Sequence, residues 1–192
     1  MNKDYLSFNG LLSQLPVPKR KGVFEMPYFP PAFSHTTYDR QAIIQPALLA
    51  DTNIRNQVIG NWLFFAEMSK NEPPPKPEDI MEIMATVKSH VGRIRSRGGQ
   101  VIFVRTPSSG PFWEMENKMM GREKLWDPLL KITNTPGIHF KDYPETSNFI
   151  CPEWSHLSHQ DAIEYTKHLV NHLQQKGWSF SNAQRSTSFI NH

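Results

Sequence analysis

Glu153 and His156 stand three residues apart in the run Cys-Pro-Glu-Trp-Ser-His-Leu, residues 151–157, just ahead of a strongly patterned helix. A carboxylate that accepts one imidazole N–H steers the ring, leaving its other nitrogen free to take a proton from a nucleophile; acyl transfer uses these parts. The same pair fits a structural histidine hydrogen-bonded beside Trp154. It also fits a metal ligand set, because His159, His168 and His172 follow, and the last two share one side of a helix at four-residue spacing. His168 and His172 lie too far along that helix to share an ion with His159, so no metal and no cofactor is expected.

A second group with chemical potential is Arg105-Thr-Pro-Ser-Ser-Gly-Pro, residues 105–111. Ser108 and Ser109 are hydroxyls available as substitute nucleophiles or substrate contacts, although the same residues make a good turn. Arg105 is placed to receive an anionic group or to sit in a surface ion pair. Trp113 and Trp154 adjoin the two loops and are the tryptophans best placed to line a cleft. The candidate substrate-binding residues are thus Arg105, Ser108, Ser109 and Trp154, with His156 and Glu153 as the catalytic pair. Ser158 reads as a helix N-cap.

The elements that must position these groups follow from periodicity. Residues 1–50 hold Pro16, Pro18, Pro27, Pro30, Pro31 and Pro46 among Phe24, Tyr28, Phe29 and Phe33, which predicts an irregular arm that packs by its aromatics. Asp51 caps a helix carrying Ile54, Val58, Trp62 and Phe65 on one side. Ile80, Ile83, Met84, Val87, Val91 and Ile94 define the clearest amphipathic helix, with Glu78 and Asp79 in its first turn, arginines in its last, and Gly98-Gly99 as its stop. A strand over residues 100–105 has an apolar centre suited to burial on both faces. A helical stretch over 112–132, broken before Pro128, leads to a second strand over 138–142. The final helix starts at Ser158 and runs to Gly177, ahead of a polar tail over 179–192.

This order describes an α/β core over residues 51–178 with parallel strands joined by a helical crossover. Two strands cannot carry helices on both faces, so further strands are expected from the first fifty residues, a partner chain or an upstream segment.

With 192 residues the chain fits one ordinary domain. Lys and Arg exceed Asp and Glu by 21 to 18, an imbalance too small to imply nucleic acid. Arg93, Arg95 and Arg97 around Ile94 compensate a helix end rather than form an RNA-binding segment. Cys151, the only cysteine, excludes an intrachain disulfide. No apolar run is long enough for a membrane helix and no signal-peptide core follows Met1. As written, the chain is expected in the cytoplasm; an upstream export signal or anchor would change that.

The block Glu153-Trp-Ser-His-Leu157, entering a final amphipathic helix after a short strand, resembles the Asp-x-x-His-Leu block of SGNH or GDSL-type hydrolases. The resemblance spans residues 80–178, about half of the chain. It implies a flavodoxin-like α/β/α three-layer fold, an esterase or acyltransferase activity on esters or acylated carbohydrates, His156 as general base and Glu153 in place of the usual Asp. The sequence departs from the family pattern upstream: no Gly-Asp-Ser-type nucleophile turn occurs and no Gly-x-Asn-Asp block follows a strand. The expectation is a carboxyl-terminal portion of an SGNH-like protein, truncated or degenerate, with a non-catalytic α/β scaffold or interaction protein as the alternative.

Overall fold

A computed structural model describes Gly22 and residues 26–180. Between Pro31 and Pro46 the chain is free of proline, and there it forms an antiparallel hairpin of β1 (Ser34–Thr36) and β2 (Ala42–Ile44), with Ser34 opposite Ile44. A short helix α1 (Pro46–Ala50) follows. The described part of the arm is therefore more regular than its proline content suggests: breakers at its two ends leave the residues between them free to pair. Phe33, Ile44 and Leu48 join Val58 in a buried cluster, against which Phe29, Ile54 and Trp62 pack.

Helix α2 (Thr52–Ser69) starts at the expected cap, where the Asp51 side chain accepts from the Asn53 N–H at 2.8 Å. Helix α3 (Pro77–Arg95) carries Glu78 and Asp79 in its first turn and buries Met84 and Val91. Its stop is a left-handed Gly98, φ 80°. Arg95 reaches from the end of α3 to the Thr133 and Asn134 carbonyls, 2.9 Å each, and to Thr135 Oγ1 at 3.0 Å. It thereby closes the carboxyl end of a second helix, α5 (Trp126–Thr133).

The strand expected over 100–105 is shorter: β3 covers Phe103–Arg105 and pairs in parallel with β4 (Gly137–His139). Val104 is exposed, which corrects the expectation of burial on both faces; among the described residues β3 and β4 form a sheet of two strands only, too narrow to be layered on both sides. The second strand ends at His139 rather than at residue 142, because the His139 Nδ1 accepts from the Lys141 N–H at 3.2 Å and the chain turns into a 3₁₀ turn, Phe140–Asp142.

The crossover from β3 to β4 contains α4 (Gly110–Met120) and α5. The break between them falls before Trp126, two residues earlier than Pro128, which occupies the first turn of α5, where its missing N–H costs nothing. After a short helix α6 (Pro144–Ser147) and the loop holding Glu153, α7 (His159–Gln175) completes the described chain. Ser158 caps α7 reciprocally: its Oγ accepts from the Asp161 N–H at 3.1 Å and donates to Asp161 Oδ2 at 2.7 Å. The architecture is mixed α/β, with seven helices and two small sheets among the described residues. None of these helices is long and apolar enough to cross a membrane.

Candidate functional site

The loops that follow the parallel strands are tied to each other through Ser109. Ser109 Oγ accepts from the Cys151 N–H at 2.8 Å, and the Ser109 N–H donates to the Trp154 carbonyl at 2.9 Å. Trp154 itself adopts φ 79°, a left-handed backbone that bulky residues rarely take and that costs on the order of 1–3 kcal/mol. Its ring packs so closely on Gly110 that a Cβ there would meet Trp154 Cδ1 at 3.1 Å, and Gly110 also has a positive φ of 51°. The strained residue thus sits between Glu153 and His156 and sets the angle at which one faces the other.

Glu153 is fully buried. Its Oε1 accepts from the His156 backbone N–H at 2.6 Å and lies 2.9 Å from His156 Nδ1, while Oε2 accepts from the Trp62 indole N–H at 2.5 Å. Burying a carboxylate is costly unless donors replace its water, and three donors do so here. Opposite a carboxylate, Nδ1 is the nitrogen assigned as the donor, which leaves Nε2 outside that contact. The imidazole is half exposed (49 %), against 0 % for the Glu153 side chain. Phe33 meets it edge-on at 5.5 Å and Trp62 stacks at 6.4 Å, so two aromatic rings steady the imidazole while about half of it remains open to solvent. A buried carboxylate behind a fixed, half-open histidine suits proton transfer to and from a bound hydroxyl.

The serines are occupied elsewhere. Ser108 donates to Glu116 Oε2 at 2.8 Å and accepts from Arg105 Nη2 at 3.0 Å, and Arg105 forms an ion pair with Glu116. Arg105 and Ser108 therefore belong to one salt-bridged cluster, which leaves the Arg105 charge already neutralised. Ser109 fastens the two loops. The Glu153–His156 contact brings that pair together, Trp154 and Ser109 border it, and neither Ser108 nor Ser109 is hydrogen-bonded to His156. Among the described residues no hydroxyl or thiol side chain bonds to His156 Nε2.

Of the other histidines of the final helix, His172 is engaged away from this pair. His172 is buried, stacks on Tyr143 at 3.7 Å and has Nε2 3.1 Å from Glu145 Oε1 without the alignment of a hydrogen bond. Among the described residues no group of three or more His, Cys, Asp or Glu side chains is arranged to hold a metal ion. Two site residues were read from the sequence only as packing aromatics: Trp62, whose inward position on α2 was legible but whose N–H partner was not, and Phe33, from the proline-rich arm.

Compared with known protein families, curated proteins and solved structures, the chain has no significant match.

Proposed function

We propose that this chain is a portion of an SGNH-like esterase or acyltransferase, with His156 as the general base and Glu153 as the residue that orients it. The observation that carries the reading is the 2.9 Å contact between a fully buried carboxylate and the inner nitrogen of a half-exposed imidazole. In this reading His156 Nε2 takes the proton of a hydroxyl as that oxygen attacks an ester carbonyl. It then returns the proton to the departing alkoxide, so the ring ends each half-reaction neutral. Glu153 stabilises the transient imidazolium without itself taking the proton. The nucleophile comes from outside the described residues, an upstream segment or partner chain supplies the remaining strands of a flavodoxin-like three-layer sheet, and the substrate is an ester or an acylated carbohydrate.

The test is hydrolysis of short-chain p-nitrophenyl esters by the wild type and by His156→Ala, followed by labelling with a fluorophosphonate and peptide mapping. Loss of about 10²–10⁴ in rate in the variant is the expected size of base assistance, and the labelled peptide identifies the nucleophile. Equal inertness of the two proteins rejects catalysis by this chain alone. The contact of His156 with Phe33 and Trp62 favours a second reading, in which the same pair serves a non-catalytic α/β scaffold that binds a partner; inert but folded wild type with a strongly destabilised variant is its signature.

A further inference from the structure

A cavity of about 280 Å³ lies between α4, α5 and the carboxyl ends of the parallel strands. It is half open to solvent, and its volume is nearly twice the roughly 150 Å³ of an engineered enclosed cavity that binds benzene. Trp113, Met119, Met120, Leu125, Trp126 and Leu129 supply its apolar lining, and neither Glu153 nor His156 contributes to it. Met119 and Met120 are exposed, which gives the lining two flexible, polarizable side chains that can adapt to a guest.

The polar groups around this space are few, and their states decide what would fit. Arg105 is neutralised by Glu116, and Arg122 by Asp142 and Asp127. No guanidinium in the lining is left to bind an anion, and a charged guest would leave water without a counter-ion. His139 is different. It is 5 % exposed and lines the cavity, and its Nδ1 accepts from the Lys141 N–H, which places the ring proton on Nε2. That Nε2–H has no hydrogen-bond partner among the described residues, and burial holds the imidazole below its ordinary pKa, which keeps the ring neutral. This nitrogen is not fully enclosed, so it offers a donor to whatever enters the cavity.

We propose that this cavity is a binding site for an uncharged, largely apolar small molecule of a size near two fused rings, which presents one carbonyl-type acceptor to the His139 Nε2–H. Recognition would rest on apolar burial for affinity and on this one hydrogen bond for orientation, the usual division of labour in small-molecule pockets. The inference stands apart from the ester chemistry assigned to His156: a silent esterase assay leaves it untouched, and an empty cavity leaves the Glu153–His156 reading untouched.

Three probes of similar bulk separate the elements of the claim: butyrophenone, a neutral ketone; butylbenzene, which lacks the acceptor; and 4-butylbenzoate, which is charged. The readout is the pair of indole N–H resonances of Trp113 and Trp126 in ¹⁵N-labelled full-length protein. Butyrophenone should shift both saturably and bind roughly 2- to 10-fold more tightly than butylbenzene, the worth of one net hydrogen bond, while the benzoate binds most weakly. His139→Phe should remove the preference for the ketone and retain hydrocarbon binding. The wild-type comparison needs no variant, so a poorly folded mutant does not blunt the test. Indole resonances that do not saturate, equal affinity for ketone and hydrocarbon, or a benzoate that binds best would each overturn the proposal.

Discussion

The Trp62 indole donates to Glu153 Oε2 at 2.5 Å across 91 residues of sequence, joining the second helix to the loop that presents His156. Trp62 also packs on Phe29 at 4.6 Å and on Phe112 at 5.5 Å. One side chain therefore connects the amino-terminal arm, the crossover helix α4 and the buried carboxylate. Because Glu153 spends its other oxygen on His156 and Trp62 also stacks on the imidazole at 6.4 Å, whatever disturbs Trp62 reaches the ring both through the carboxylate and directly. The site is held from behind, and its outer face is left free.

Trp62→Phe keeps a ring in place and removes only the donor and the second ring. Loss of a hydrogen bond to a charged, buried acceptor should cost about 1.5–3 kcal/mol in unfolding free energy, read from urea denaturation. A double-mutant cycle with Glu153→Gln separates that bond from lost packing: the two substitutions should be non-additive by about 1 kcal/mol or more. Additivity would mean that the indole N–H contributes nothing.

The tautomer of His156 is a second consequence of the same geometry. With Glu153 facing Nδ1, the neutral ring in the wild type should carry its proton on Nδ1, visible in long-range ¹H–¹⁵N correlation spectra recorded on the neutral form. In Glu153→Gln the facing group is an amide that can accept or donate, so the spectrum should move toward a mixture. A wild-type ring protonated mainly on Nε2 would remove the orienting role of Glu153.

Local chemistry was legible from sequence wherever one residue satisfies a neighbour. The Asp51 cap on the Asn53 N–H and the Ser158–Asp161 reciprocal cap involve groups two or three residues apart, and the Glu153–His156 pair was found for the same reason. The hairpin of Ser34–Thr36 with Ala42–Ile44 was hidden because prolines at 27, 30, 31 and 46 suggest breakage everywhere, although they only bracket the segment. Strand length was overestimated at both parallel strands, since apolar runs such as residues 101–104 report tolerance for burial, while strand extent is fixed by the partner available. Trp62 and Phe33 reach the site by tertiary packing, and no spacing along the chain announces such a contact. Arg105 and Ser108 were close enough in sequence to pair, but their common partner, Glu116, lies a helix away.

His139 predicts how stability varies with pH. Desolvation by burial is the main cause that lowers its pKa below the ordinary 6.5, with Asp142 opposing it and Arg122 and Arg105 adding to it. Between the two values the unfolded chain holds the extra proton and the folded one does not, so stability falls as pH falls. The contribution is fully present above about pH 6.5 and is lost as acidification approaches the lower, folded-state value. Denaturation measured at steps from pH 7.5 to 5 should show a steeper decline in wild type than in His139→Phe. Parallel profiles would show that His139 is protonated as readily in the folded protein as in the unfolded one.

Cys151 offers a direct check on the packing behind the loop that holds Glu153. Its side chain is 2 % exposed, its Sγ lies 3.6 Å from the Pro107 carbonyl, and burial above all pushes the thiol up to about 11. At pH 8 roughly one molecule in a thousand would then be thiolate, against about a quarter for an ordinary cysteine near 8.5. Both the missing thiolate and the closed surface should suppress reaction with an aromatic disulfide reagent in the native protein, and urea should restore it to one thiol per chain. The Ser109 Oγ that accepts from the Cys151 N–H is the natural control: Ser109→Ala leaves that N–H without its partner, loosens the junction of the two loops, and should raise the native labelling rate several-fold while leaving the unfolded rate unchanged. A wild-type thiol that reacts as fast in buffer as in urea would place Cys151 at the surface and with it the loop that holds Glu153.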